Sequence, residues 1–487
     1  MNVRLALFAV ILTAVAVLIV VQSILLDAYK TRDDLQMISI VLSAVICLLV
    51  LAYPMRHPSL MAPPRLMAGL TLLLFPVFSL TYTVVPDLSK WYFQFYPSAN
   101  FKHKLALVNF YTTLSLPIFL VGYALGEQTR LRAPVLSHTR NSVFLTVLFA
   151  VLVIGILGML SYSLSLGGIS VILENMGNMS ERRLWHDRGN RLFFYIGMVL
   201  LTAPTVLSLS IFVSVRSLWG LVVIALILFV GATVLLLTQA SREKAVLPLI
   251  LFVIAVFLLT QRSASVDMKR RGYALLLVLV GFAVLLFAVQ TMVRWSTTEG
   301  SQANGLRMFS DFNRLDVSIV IFSHYFDPEL GKDPLLGLPM LSYFNQFLVR
   351  LMDMEPIMNT SMILHDFIFD GDPKAGNPGA PFVGELYLNF KSYAFFVFLP
   401  IGFFFARSYT ALANSNYEFW RVLFYSTHAY FFFAKIFTYI GFSESVLIML
   451  LVYVPLLGWQ FLYRIRLGSF DPTQVEQASH LRPEEQR

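Results

Sequence analysis

Long apolar stretches alternate along the chain with short polar breaks, and the length of each stretch decides what it can be. From Val3 to Leu26 almost every position is apolar, and further runs fall near 37–53, 67–85, 105–125, 143–164, 192–214, 217–240, 244–261, 273–293, 392–411, 420–437 and 443–463. Runs of roughly 17 to 25 apolar residues suit a helix crossing a bilayer. The pattern therefore predicts an all-α, polytopic integral membrane protein with about twelve transmembrane helices. One break is unusually tight. In "GATVLLLTQASREKAVLPLI" (231–250) three charges, Arg242, Glu243 and Lys244, separate two runs with hardly any loop between them.

Composition agrees with the pattern. Of 487 residues 57% are hydrophobic and 13% charged, with a mean hydropathy of +0.71; an average soluble domain carries about twice that charge. Cys47 is the single cysteine and lies in an apolar run, so neither a disulfide framework nor a cysteine metal site can form, and the thiol is expected to be inert packing. The net charge of +8 reads as a membrane signature rather than a nucleic-acid footprint, because basic residues beside spans set topology and meet anionic headgroups. The first run is too long for a signal-peptide core and no small-residue cleavage site follows it, so it is expected to remain as the first span.

Charge also orients the spans. With the N-terminus in the cytoplasm, inside loops carry Arg56 and Arg65, then Arg130, Arg132 and Arg140, then Arg216, then Arg262, Lys269, Arg270 and Arg271, and finally Arg464 and Arg466. The organisation that follows is a first set of spans over 1–293, a large external segment over 294–391, further spans over 392–463, and a polar tail, 464–487, expected to be disordered on the cytoplasmic side.

The same orientation places three basic clusters outside, against the topological rule. Loop 165–191 carries Arg182, Arg183, Arg188 and Arg191; the break at 241–244 carries Arg242 and Lys244; segment 294–391 adds Arg307, Arg314 and Arg350. Guanidinium groups match phosphate oxygens bidentately, and three clusters on one face point to an anion handled there, with a lipid-linked pyrophosphate as a natural candidate. Each has a plainer rival. Arg242 reads equally as a headgroup anchor snorkelling from a span end, Arg314 as a partner for Asp311 or Asp316, and the 182–191 run as a solvated face.

Segment 294–391 opens with "NGLRMFSDFNRLDVSIVIFSHYF", helical in pattern, with Arg307 and Arg314 near one face. It ends in "HDFIFDGDPKAGNPGAPFVGELYLNF", whose glycines (371, 376, 379, 384) and prolines (373, 378, 381) predict an irregular loop. Glu385 falls at the mouth of the next span, followed by Tyr387 and Asn389, and an acid so near the membrane calls for a partner or a job. Asp370 and Asp372 form an Asp-x-Asp pattern that a divalent cation can use, although two aspartates in a Gly/Pro loop more often make a turn. Asp33 and Asp34, in "TRDD", have no supporting surroundings. No Walker sequence, His-Glu-x-x-His or nucleophile elbow is present, so an ATP-driven pump or intramembrane hydrolase is not indicated.

Three stretches carry a resemblance. "LLLTQASREKAVLPL" resembles the Ser-Arg stretch at the outer end of a span in the O-antigen polymerase and ligase superfamily; "FNRLD" is similar to that superfamily's second arginine, at the start of its large periplasmic loop; "PGAPFVGELYLNF" is similar to the closing Gly-Glu-x-Tyr-x-Asn-Phe motif of repeat-unit polymerases. They occur in the family's order over roughly residues 230 to 410. One departure is Lys391, where those polymerases usually have glycine.

The resemblance implies a metal-independent glycosyltransferase of the second GT-C type, needing no cofactor. It would act at the periplasmic face of a bacterial inner membrane, joining a glycan carried on undecaprenyl pyrophosphate to a hydroxyl of an incoming lipid-linked repeat unit, as in O-antigen and lipopolysaccharide biosynthesis. A chain-length regulator is a family expectation. Arg242 and Arg314 would stabilise charge on the leaving phosphate. Arg182, Arg183, Arg188, Arg191 and Arg307, with Tyr387 and Asn389, would bind substrate, and His365, Asp366 and Glu385 are candidates for the base. Tyr325, Tyr343, Phe344 and Tyr387 could stack on sugar rings or serve as interfacial anchors. Two alternatives stay open: an O-antigen ligase, which usually shows a histidine-asparagine pair in the comparable place, and a lipid-linked oligosaccharide flippase, which should carry charge through the membrane depth. The span interiors here are nearly charge-free.

Overall fold

The structure is a computed structural model that describes residues 3–28, 33–77, 79–80, 101–128, 142–175, 189–214, 217–239, 242–262, 266–296, 335–336, 358, 360–369, 382–414 and 419–434. No strand occurs among the described residues. The helices are α1 (Val3–Ala28), α2 (Asp33–Leu51), α3 (Pro63–Leu72), α4 (Phe101–Gln128), α5 (Ser142–Ser165), α6 (Ile169–Glu174), α7 (Arg191–Gly197), α8 (Ala203–Ser214), α9 (Leu218–Gln239) and α10 (Arg242–Arg262). They continue with α11 (Val266–Ser296), α12 (Thr360–Phe369), α13 (Phe382–Phe390), α14 (Phe398–Asn414) and α15 (Phe419–Ala429). Each apolar run up to residue 437 overlaps a helix; the run at 443–463 and the tail lie outside the described residues.

Among the described residues six helical stretches are long and apolar enough to cross a membrane, at 4–26, 103–128, 145–165, 192–214, 219–238 and 393–414. Several runs that read as uninterrupted are in fact broken. The run at 192–214 divides into α7, a 3-10 turn (Met198–Leu201) and α8, where Pro204 in the first turn lacks the N–H that would continue the ladder from α7. A π turn (Leu73–Val77) containing Pro76 follows α3, and another (Tyr430–Ala434) follows α15. Side chains facing away from the bundle are apolar: α1 exposes Leu5, Val10, Val17 and Ile24, and α11 exposes Leu277 and Val284. Such a surface is costly in water and at home in hydrocarbon.

Helix α4 is the pillar of the first half, packing on α1, α2 and α14. Its seam with α14 is the closest among the described helices. Gly122 and Gly126 on α4 meet Gly402 on α14: a Cβ built on Gly122 would stand 2.0 Å from the Leu399 carbonyl oxygen, and one on Gly402 would stand 2.1 Å from that of Phe119. The pairing of Gly122 with Leu399 and of Gly126 with Phe403 shows that the two helices run parallel. Only hydrogen atoms at these positions permit the approach, which is how membrane helices associate without a hydrophobic drive between them.

Uncharged polar side chains stitch the neighbouring seams. Gln22 of α1 donates to Ser39 Oγ at 3.0 Å and Ser43 Oγ at 2.7 Å on α2, and Ser43 Oγ lies 3.5 Å from Thr113 Oγ1 on α4. On α15, His428 Nδ1 meets the Phe424 carbonyl while Nε2 lies 2.9 Å from Ser408 Oγ on α14. A carbonyl can only accept, so Nδ1 carries a proton, while Ser408 Oγ, the partner of Nε2, also lies 3.3 Å from the Phe405 carbonyl.

Segment 52–62 acts as a hub at one end of the bundle. Arg4 donates to the Pro54 carbonyl and pairs with Glu127, which also accepts from Tyr53 Oη at 3.4 Å and the Arg56 amide at 3.3 Å. Ser59 Oγ donates to Gln261 Oε1 at 2.8 Å, Tyr409 Oη to the His57 carbonyl at 3.2 Å, and Tyr425 Oη to the Met61 carbonyl. The start of α1 and the ends of α2, α4 and α10 therefore share one side. Removing the carboxylate should expose its importance. Glu127→Ala strands a guanidinium that is only 32% exposed, so a loss of about 1–3 kcal/mol is expected. Melting in detergent should fall accordingly and recover in part in the Arg4→Ala/Glu127→Ala double variant; a single variant that melts with wild type would show the pair to be idle.

Candidate functional site

Five of the sequence-derived candidates, Arg191, Arg242, Glu385, Tyr387 and Asn389, lie on helices at the opposite end of the bundle. Tyr111 of α4 touches Tyr387 of α13, with ring centroids 4.9 Å apart, and stacks on Phe395 at 5.5 Å. Tyr111 stands about 24 Å along the axis of α4 from Glu127 at the usual helical rise, so α13 lies far from the hub. Arg242 opens α10, whose other end reaches the hub through Gln261, about 28 Å away by the same rise. Thr205 Oγ1 donates to the Pro248 carbonyl at 2.9 Å, which sets the start of α8, and hence α7 before it, beside the start of α10. Arg191 is the first residue of α7, capped by Asn190, whose side chain accepts from the Leu192 amide at 3.1 Å. The Asn190 amide in turn donates to Ser165 Oγ at the end of α5 at 2.9 Å, clasping the two ends of loop 165–191. Arg191, Arg242 and α13 thus share one end.

Segment 360–390 corrects the expectation of an irregular loop at two places, since 360–369 and 382–390 are helical. The glycines and prolines that suggested a loop cluster between these stretches, at 371–381; within 382–390 only Gly384 remains, and the helix is buried on nearly all sides, with Phe382, Val383, Leu386 and Leu388 in the core. His365 and Asp366 therefore sit on α12, not in a loop. His365 is buried and its Nδ1 lies 3.3 Å from Asp366 Oδ1, an exposed carboxylate that can orient the ring.

Glu385, Tyr387 and Asn389 all belong to α13. Glu385 and Asn389 are buried, and Asn389 Nδ2 donates back to the Glu385 carbonyl at 2.7 Å. Burial, followed by the hydrogen bond and charge of Tyr111, pushes the Tyr387 phenol upward, so it stays a hydrogen-bond donor at physiological pH and is no base. The last carbonyls of α13 are taken by another part of the chain: the Leu335 amide reaches the Leu388 carbonyl at 3.5 Å and the Leu336 amide reaches that of Asn389 at 3.0 Å.

The backbone is strained at this junction. Leu336 and Lys391 have φ of 51° and 50°, the non-glycine residues with positive φ among those described, and they flank the same helix end. A left-handed residue with a Cβ costs about 1–2 kcal/mol, and strain of this kind tends to collect at functional sites. Lys391 also holds a buried ammonium 5.5 Å from the centroid of the Tyr387 ring. Sequence reading had noted Lys391 only as a departure. Lys391 bears the strain of a left-handed turn that glycine would take freely.

Other candidates are not reached in this way. Arg182, Arg183, Arg188, Arg307, Arg314, Asp370 and Asp372 lie outside the described residues, as do Tyr325, Tyr343 and Phe344. Tyr111 and the Ser408–His428 pair were missed, because a polar aromatic or a histidine inside an apolar run reads as packing.

The described residues form an all-helical protein with the apolar surface of a membrane protein, with buried polar groups at both ends of the bundle and along its seams. The chain matches no protein-family model, and no curated protein or solved structure is significantly similar to it.

Proposed function

We propose that the protein is a membrane glycan polymerase that transfers a growing oligosaccharide from undecaprenyl pyrophosphate to a hydroxyl of an incoming lipid-linked repeat unit. The observation that carries this reading is the gathering, at one end, of α13 with Glu385, Tyr387 and Asn389 and of the helix starts at Arg191 and Arg242. That end faces the periplasm and the hub faces the cytoplasm, as the basic loops require, in a molecule of about twelve spans of the second GT-C type. The donor brings its own leaving group, so the residues need chiefly to stabilise charge developing on the departing phosphate. Arg242 and Arg314 take that role, while Glu385 or the His365–Asp366 pair accepts the hydroxyl proton.

A transporter reading draws on the buried seam of Gln22, Ser39, Ser43 and Thr113 within the spans. That seam is uncharged and its members bond to one another, which suits helix association better than passage of a diphosphate. Purified protein given lipid-linked repeat units in the presence of EDTA is expected to build a glycan ladder. Absence of any ladder with intact, correctly folded protein would remove the polymerase reading, and transfer to lipid A core instead would favour a ligase.

A further inference from the structure

Helices α9 and α11 present an exposed, layered surface at the hub end. Gln239 closes α9 just before Arg242 opens α10, so α9 runs back against α10 and starts at the hub. Helix α11 starts there too: a Cβ on Gly272 would stand 2.3 Å from Thr260 Cγ2, next to the hub contact at Gln261. The two helices therefore run the same way, and they meet at Phe229 and Phe282, with ring centroids 4.7 Å apart. Counted back from that contact at the usual rise, Trp219 lies about 15 Å and Tyr273 about 13.5 Å toward the hub, so the two rings share one level. Trp219 is 78% exposed and Tyr273 50%. Lys269 and Arg270, half-buried and exposed, stand about one turn further out on α11.

These side chains share a surface. Positions 270, 273, 277 and 284 fall on the face of α11 turned away from Gly272, and Leu277 and Val284 are exposed there; on α9 the exposed stripe continues from Trp219 through Val222 and Leu226. Asp267, in the same turn as the two cations, forms an ion pair with neither. Apolar stripe, aromatic level and cationic level follow one another outward, in the order of acyl chains, glycerol backbone and phosphate in a phospholipid. Charge selects the occupant. A zwitterionic headgroup brings its own cation to Lys269 and Arg270, and a second copy of this surface would set like charges together, whereas an anionic headgroup complements both.

We propose that the hub end of α9 and α11 binds an anionic phospholipid, with its headgroup on Lys269 and Arg270 and its chains along Trp219, Leu226 and Leu277. The site requires only that these helices lie in a membrane and is independent of the reaction the protein performs.

Quenching of tryptophan fluorescence tests it. Full-length protein is placed in phosphatidylcholine bilayers holding a small, equal fraction of either phosphatidylglycerol or phosphatidylcholine with brominated chains, and the Trp219 signal is the difference between wild type and Trp219→Phe. Brominated phosphatidylglycerol is expected to quench that signal at least threefold more than brominated phosphatidylcholine. Lys269→Gln/Arg270→Gln should abolish the preference, and Arg56→Gln, which removes an exposed cation elsewhere at the same end, should keep it. Salt at about 1 M should weaken it in wild type, a check that needs no variant to fold. Equal quenching by the two lipids, a preference that survives in the double variant or in high salt, or an equal loss in Arg56→Gln would overturn the proposal, the last by showing only a general surface charge.

Discussion

Gly402→Ala is expected to melt well below wild type, and Gly402→Val to accumulate poorly in the membrane at all. A methyl group at this position would lie 2.1 Å from the Phe119 carbonyl oxygen, and neither partner is a side chain that can swing away. To reach ordinary contact, α4 and α14 would have to move apart by more than an ångström along a seam that also holds Gly122 and Gly126. Overpacking of a well-filled interior costs about 1–3 kcal/mol, and here the obstacle is backbone, so the upper end or beyond is expected for valine. Gly281 supplies the control. It lies within α11 and a Cβ there meets nothing within 4 Å, so Gly281→Ala should be neutral or stabilising by up to about 1 kcal/mol through helix propensity. Melting of purified variants in one detergent reads both; equal melting of Gly402→Ala and Gly281→Ala would mean that the seam is not this tight. Because α14 follows directly from α13 and its 3-10 turn, a loosened seam should also displace Tyr387 from Tyr111, and substrate binding should suffer before the fold is lost.

Arg242→Ala carries the largest expected effect on activity. If the arginine opposes charge on the leaving phosphate, its removal should lower the turnover number by about 10²–10³ with a smaller change in KM, because the interaction strengthens as the bond breaks. Its place at the first turn of α10 also supports the role, since helix N-terminal amides favour anions. Lysine keeps the charge but not the fork, so Arg242→Lys should recover only part of the loss. Polymer formation at saturating lipid-linked substrate gives the readout. A variant whose KM rises while turnover is kept would mark Arg242 as a binding or headgroup-anchoring residue and refute the leaving-group role.

How far the site could be read from sequence differs residue by residue. Glu385, Tyr387 and Asn389 were visible because polar residues at the edge of an apolar run are exceptions to a strong pattern. Arg242 was visible for the same reason, together with its placement against the charge bias. Tyr111 was not, since a tyrosine within an apolar run reads as packing until its partner is known. Neither was the Arg4–Glu127 pair, whose members are 123 positions apart and each of which alone looks like a span-end charge.

By itself, the sequence determined the helical class and the place of almost every apolar helix, because run length and hydropathy are local properties that a bilayer reads directly. Tertiary structure decided what local pattern cannot carry. It placed α4 parallel to α14 through glycines nearly 280 positions apart, a pairing that depends on backbone approach and not on hydropathy. It made helices of 360–369 and 382–390 beside the glycines and prolines of 371–381, the second of them buried on nearly all sides. It also turned Lys391 from a departure in a motif into a strained, buried cation, because only a fold can hold a residue in a conformation that its own chemistry disfavours.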